Sequence, residues 1–243
     1  MTSELSVEVL ETADVVANRA AQAIAALARE AIEARGRFLF AASGGHTPWV
    51  MLRTLAAAQI PWPAVRVFQV DERVAPADHA DRNLKHLKAS LLEHAPLGPE
   101  QILAMPVEDD DLDRAAAEYA QTLQRECGSP AVLDLVHLGL GPDGHTASLV
   151  PGDPVLNVCD RDVAVTGPYQ GRCRMTLTYP AINRARQVLW LVAGAEKVQM
   201  LHRLLHCDAG IPAGRIHCEK SLVLADAAAA GESKNGPEKC PLE

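Results

Sequence analysis

The stretch "AVLDLVHLGLGPDGHTASLVPGD", residues 131–153, changes character halfway along. Its first part is a short apolar run of the kind that forms a buried strand. Its second part holds three glycines within six residues (Gly139, Gly141 and Gly144), then His145, two hydroxyls and a proline. A glycine-rich loop at the end of a buried strand lets backbone approach a ligand closely. Asp143 and His145 stand two apart with a glycine between them, so both can face one pocket. A neutral imidazole beside a carboxylate is suited to general-base work near neutral pH.

Reading outward from this loop, the same grammar recurs. Residues 12–34 are alanine-rich with apolar positions at helical spacing, and Gly36 closes that helix. "RFLFAAS" is an apolar strand that runs into "GGHTPWVMLRTLAAA", a turn and a helix. "VRVFQVD" (65–71) is a strand, "RNLKHLKASLLEHA" (82–95) a helix and "LDRAAAEYAQTLQREC" (112–127) another. After residue 153, "DVAVTG", "RMTLTYP" and "VLWLVAG" read as strands, 195–206 as a helix and 221–226 as a last strand. Strands alternate with helices, and several strands are apolar without alternation. Both features predict an α/β fold, a mostly parallel central sheet with helices on both faces. A single α/β domain is expected over residues 1–226. The segment 227–243 is poor in bulky apolar residues and is expected to be disordered.

Composition narrows the function classes. The 243-residue chain carries 23 Lys plus Arg against 31 Asp plus Glu, a formal charge of −8, which argues against nucleic acid as a partner. No stretch is long and apolar enough to span a bilayer, and the N-terminus does not read as a signal peptide. A cytoplasmic location is expected. The six cysteines, at 127, 159, 173, 207, 218 and 240, contain no C-x-x-C pair and are expected to be free thiols. An anionic ligand would need cations gathered locally against this acidic average.

Four loops fall at strand ends, where open parallel sheets bind ligands. "SGGHTP" (43–48) offers backbone N–H groups at a helix start, suited to a phosphate; it also suits a plain turn capped by Thr47 with Pro48 at the first helical position. "VDERVAP" (70–76) supplies Arg73 from what reads as a loop. The loop of Asp143 and His145 is the third, and the pair "RMTLTYP" and "GAEK", with Arg174 and Lys197, is the fourth. Arginine can grip phosphate with two parallel bonds, whereas lysine acts as a point charge. No His/Cys cluster has zinc spacing, "GLGPDG" is not followed by a helix as a dinucleotide fingerprint requires, and "SGGHTP" lacks the Lys of a P-loop. No metal and no cofactor is expected.

With five motifs in order, "SGGHTP", "VDERVAP…DRN", "LGLGPDGHTASLVPG", "RMTLTYPAI" and "LVAGAEK", the chain resembles the 6-phosphogluconolactonase family over roughly residues 10 to 226. The resemblance implies a Rossmann-like fold and metal-independent hydrolysis of 6-phosphoglucono-δ-lactone to 6-phosphogluconate, a step of the oxidative pentose phosphate pathway. It implies His145, Asp143 and Arg73 as catalytic residues. It implies Ser43, Gly44, Gly45, His46, Thr47, Asn83, Arg174 and Lys197 as the group that holds the phosphorylated sugar. His46 stands where that family usually has Ser, and Arg82 where it usually has Ser before Asn83. The extra cation Arg82 is expected either near the phosphate or in solvent. Two rival readings remain. A glucosamine-6-phosphate deaminase/isomerase shares the fold and an Asp-Gly-His loop, but its loop continues Ile-Ala-Phe-Asn-Glu-Pro and its second motif reads Asp-Glu-Tyr, against "TASLVP" and "DER" here. A non-catalytic sugar-phosphate sensor would have no need of the Asp143/His145 pair. The oligomeric state is not legible.

Overall fold

A computed structural model describes residues 5–232. The long helix forms as its sequence dictates. Helix α1 (Ala13–Arg35) begins where Thr12 Oγ1 accepts the Val15 N–H and ends at Gly36, whose φ of 75° is the left-handed conformation that favours glycine. Its buried stripe is built largely from alanines 17, 20, 21, 25, 28 and 31, so the helix can approach its neighbours closely. Strand β2 (Phe38–Ala42) is buried at all five positions, as a strand covered on both faces must be.

The remaining strands of the central sheet are β1 (Ser6–Leu10), β3 (Val65–Gln69), β5 (Ile102–Leu103), β6 (Leu135–Gly139), β9 (Gln187–Val192) and β10 (Ser221–Asp226). Their order is β1-β10-β9-β6-β2-β3-β5, and every pairing is parallel. Side-chain alternation sorts the core into two layers. Phe38 and Phe40 face α1 and α2 (His46–Ala56), whereas Leu39 and Ala41 share a cluster with α4 (Leu112–Cys127) and α6 (Val198–Leu205). The result is a Rossmann-like α/β fold with helices on both faces.

The chain runs from β2 outward to β3 and β5 on one side, then returns to β6 beside β2 and builds β9 and β10 on the other. The boundary between β2 and β6 is the place where the strand order reverses, and crevices at such points bind ligands. The loops "SGGHTP" and "LGLGPDGH" leave those two neighbouring strands.

Several elements depart from expectation. The segment "DER" is not a loop: it forms β4 (Asp71–Arg73), which pairs antiparallel with β8 (Arg174–Leu177) in a separate small sheet completed by β7 (Val163–Val165). The strands "DVAVTG" and "RMTLTYP" thus leave the central sheet and form a cap over its carboxyl edge. The helix expected over 82–95 is regular only as α3 (Asn83–Leu87) and continues as a π-helical turn to Leu92. Strand β1 and the short helix α5 (Tyr179–Arg184) were not expected; β1 is an edge strand with Val7 and Val9 facing outward.

Expected disorder from residue 227 does not describe Ala227–Glu232. Ala227 donates to the Leu10 carbonyl, the Asp226 carboxylate accepts the Ala229 N–H at 2.7 Å, and Ala229 is buried. The rest of that segment, 233–243, lies outside the described residues. The expectation of free thiols fails for one pair: Cys207 and Cys218 are joined in a disulfide, while Cys127, Cys159 and Cys173 are free among the described residues and Cys240 lies outside them. The two sulfurs meet because residues 207–218 fold back under the His145 loop, a proximity no cysteine spacing reveals. Among the described residues no helix is long and apolar enough to cross a membrane.

Candidate active site

The loop after β6 is fixed before any ligand arrives. Gly141 donates to the His145 carbonyl at 2.8 Å, and Gly144 donates to the Gly141 carbonyl at 3.0 Å, closing a tight turn. Gly144 has φ 83°, and a Cβ there would stand 2.7 Å from Ile211, so glycine is required on two counts. From the opposite side, Ser148 Oγ donates to Asp71 Oδ2 at 2.6 Å and ties the loop to β4.

This scaffold presents the His145 ring with Nδ1 2.5 Å from Asp143 Oδ1. The same carboxylate oxygen accepts the His145 backbone N–H at 3.2 Å, and its other oxygen accepts the Tyr169 hydroxyl at 3.1 Å. Partial burial works against ionisation of Asp143, but the hydrogen bonds from the His145 ring and N–H, helped by Tyr169, hold its carboxyl below the ordinary aspartate range. Asp143 is therefore an anion, and its bond at Nδ1 leaves Nε2 as the free ring nitrogen.

His145 lines a cleft of about 210 Å³. Of the residues expected from sequence, Ser43, Gly44, Gly45, Arg73, Asn83, Arg174 and Lys197 line it too. Asp143 stands behind His145. His46 and Thr47 do not line the cleft: α2 starts at His46, capped by Gly45 at φ 129° and not by Thr47, so His46 is exposed and sits edge-on to Trp49. Gly44 must be glycine because a Cβ would fall 2.1 Å from Asn83 Oδ1.

The cations come from separate elements. Arg73 on β4 hydrogen-bonds Asn83 Oδ1, and Asn83 Nδ2 in turn donates to the Asp71 carbonyl at 3.0 Å. Arg174 on β8 is directly opposite Arg73 in the register of the small sheet. Burial lowers the pKa of Arg174, and the nearby Arg73 charge lowers it further. Lys197 follows β9, paired at 3.7 Å with the exposed Glu196. Arg82 takes neither expected place. It is buried and bridges Glu72 (3.3 Å) and Glu108 (2.8 Å).

Glu72 and His137 are supports that sequence reasoning missed. Glu72 is fully buried and accepts the N–H groups of Arg73, Asn83 and Leu84 as well as the Gln69 amide. His137, on β6, accepts the Ser43 N–H at Nδ1 (3.2 Å) and so fixes the start of the "SGG" loop. Neither had a signal beyond being polar inside an apolar strand or a charged run.

The family model described as glucosamine-6-phosphate isomerases/6-phosphogluconolactonase matches residues 11–224. The chain belongs to that family. A protein of Synechocystis sp. named 6-phosphogluconolactonase is 38% identical over 207 residues, covering 84% of this chain and 86% of that one. A protein of the same name from Nostoc sp. is 38% identical over 236 residues, covering 93% and 98%. The solved structure of a 6-phosphogluconolactonase from Thermotoga maritima superposes with a TM-score of 0.82 at 26% identity, covering 91% of this chain and 98% of that one. Within this family frame, the cleft described above lies at the switch point of the shared fold.

Proposed function

We propose that this chain hydrolyses 6-phospho-D-glucono-1,5-lactone to 6-phospho-D-gluconate, with His145 as general base. Its curated relatives carry the name of that activity at 34–38% identity over most of the chain. The observation that supports the residue roles is the meeting, in one cleft, of a carboxylate-held imidazole with cations from three other elements of the fold. A lactone is an activated ester, so water needs a base and a stabilised oxyanion, and little else. His145 Nε2 takes a proton from water as its oxygen attacks the ring carbonyl. Asp143 holds the Nδ1–H tautomer and stabilises the imidazolium that forms. Arg73 faces the developing oxyanion. When the tetrahedral intermediate collapses, the ester bond to the ring oxygen breaks and that oxygen recovers the proton from His145. Ser43, Gly44, Gly45, Asn83, Arg174 and Lys197 hold the phosphorylated sugar. The same reading places the enzyme in the cytoplasm.

The test must allow for spontaneous hydrolysis of δ-lactones. The lactone is generated in situ and its loss followed with wild type, with His145→Ala and without protein. Rapid wild-type turnover that falls about 100-fold or more in a folded variant supports the base. Equal turnover in both proteins removes His145 from that role, and no acceleration by the wild type removes the function.

A further inference from the structure

Tyr169 sits at the tip of the hairpin between β7 and β8, in the segment "TGPYQGR". Tyr169 and Arg172 exchange backbone hydrogen bonds at 2.9 and 3.3 Å across Gln170 and Gly171, both at positive φ (53° and 80°). Arg172 also bonds Asp81 at 2.7 Å, so the hairpin tip is anchored on that side as well. The ring it holds touches both halves of the site. The hydroxyl donates to Asp143 Oδ2, the ring edge meets His145 with centroids 5.4 Å apart, and the Arg174 guanidinium lies over the ring face at 4.9 Å.

Each contact adds a restraint to those the neighbouring groups supply. A carboxylate bonded through one oxygen alone can rotate away from its partner; Oδ1 is taken by His145, and the Tyr169 bond at Oδ2 blocks that rotation. Arg174 is buried, hydrogen-bonds Gln170 through Nη2 at 3.2 Å, and among the described residues has no partner at Nε. Its guanidinium plane is therefore set by the aromatic face beneath it together with the Gln170 bond. We infer that Tyr169 is a positioning residue that couples the base to the anion-binding cation, its hydroxyl fixing Asp143 behind His145 and its ring fixing Arg174 toward the substrate's phosphate. This rests on the function proposed above.

The charged and titratable groups facing the Asp143–His145 pair are Tyr169 from the hairpin, Arg174 from β8, Arg73 and Asp71 from β4 and Lys197 after β9. The residues packed under the loop, Ile211 and Met200, carry no charge. Removing the hydroxyl leaves the carboxylate's charge less shared, so it holds a protonated imidazole more tightly.

The experiment measures kcat and KM from pH 5 to 9 for wild type, Tyr169→Phe, Tyr169→Leu and His145→Ala, with melting temperatures as the folding check. Tyr169→Phe keeps the ring; its kcat is expected to fall about ten- to 100-fold, the worth of one hydrogen bond to a charged group, with KM within about twofold. The acid limb of its profile should move to higher pH. Tyr169→Leu should add a KM increase of about three- to tenfold as Arg174 loses its platform. A Tyr169→Phe profile that superposes on wild type, with His145→Ala inactive, overturns the coupling alone. An unchanged KM in Tyr169→Leu overturns the role of the ring. Full activity in His145→Ala overturns the base reading and this inference with it.

Discussion

The His145 ring lies against Gly141, so closely that a Cβ at position 141 would stand 2.1 Å from Nδ1, the nitrogen that Asp143 holds. Gly141 does not have a positive φ, so its backbone would accept alanine. The three nearest atoms it would meet all belong to the imidazole, which must swing off Asp143 to make room. Gly141→Ala should therefore lower kcat about 100-fold while leaving the fold intact, because misplacing a reacting group by an ångström costs on that order. Steady-state kinetics beside a thermal melt checks it; a variant with wild-type kcat would mean that the observed Asp143–His145 geometry is not what the reaction uses.

Arg73 and Arg174 form a cross-strand pair of like charges, an arrangement that costs stability unless anions offset it. Asp71 and Asp81 offset part of the repulsion, and a phosphate at the cleft relieves it further. Inorganic phosphate should raise the melting temperature of the wild type, and Arg174→Gln should abolish most of the increase. The same variant should raise KM for the phosphorylated lactone at least tenfold and leave hydrolysis of unphosphorylated gluconolactone nearly unchanged. Equal loss on both lactones would reassign Arg174 from the phosphate to the reacting carbonyl.

What the sequence shows of this site is what local chemistry encodes. The strand-to-loop change at residues 131–153 and the capped alanine helix are each written within a window of twenty-odd residues, and both hold in the structure. The segment "DER" reads as a loop because three residues cannot display a period, and its partner strand lies about a hundred residues later. Arg82 reads as a solvent or phosphate cation because its two carboxylates, Glu72 and Glu108, are brought to it only by folding. Tyr169 carries no motif at all; its place at Asp143 exists only once the hairpin closes over the cleft. His46 and Thr47 show the converse case, residues inside a recognisable motif that the start of α2 turns out of the cleft.

His137 gives the site a pH-dependent support. It is wholly buried on β6, accepts the Ser43 N–H at Nδ1, and has no partner at Nε2 among the described residues. Burial pushes its pKa down from the ordinary 6.5 to about 3. The unfolded chain thus binds a proton below pH 6.5 that the folded chain refuses until about pH 3. Stability from this group is complete above pH 6.5 and falls as the pH drops through that window, at about 1.4 kcal/mol per pH unit for one proton. His137→Asn keeps an acceptor for Ser43 and cannot titrate. Urea unfolding at intervals between pH 7 and 4 should give the wild type a pH slope steeper than the variant's by about one proton. Because the other titrating groups, Asp143 among them, are common to both proteins, the difference isolates His137. Parallel slopes would mean that the buried ring is protonated in the folded strand, and the Ser43 N–H would then have lost the acceptor that fixes the phosphate loop.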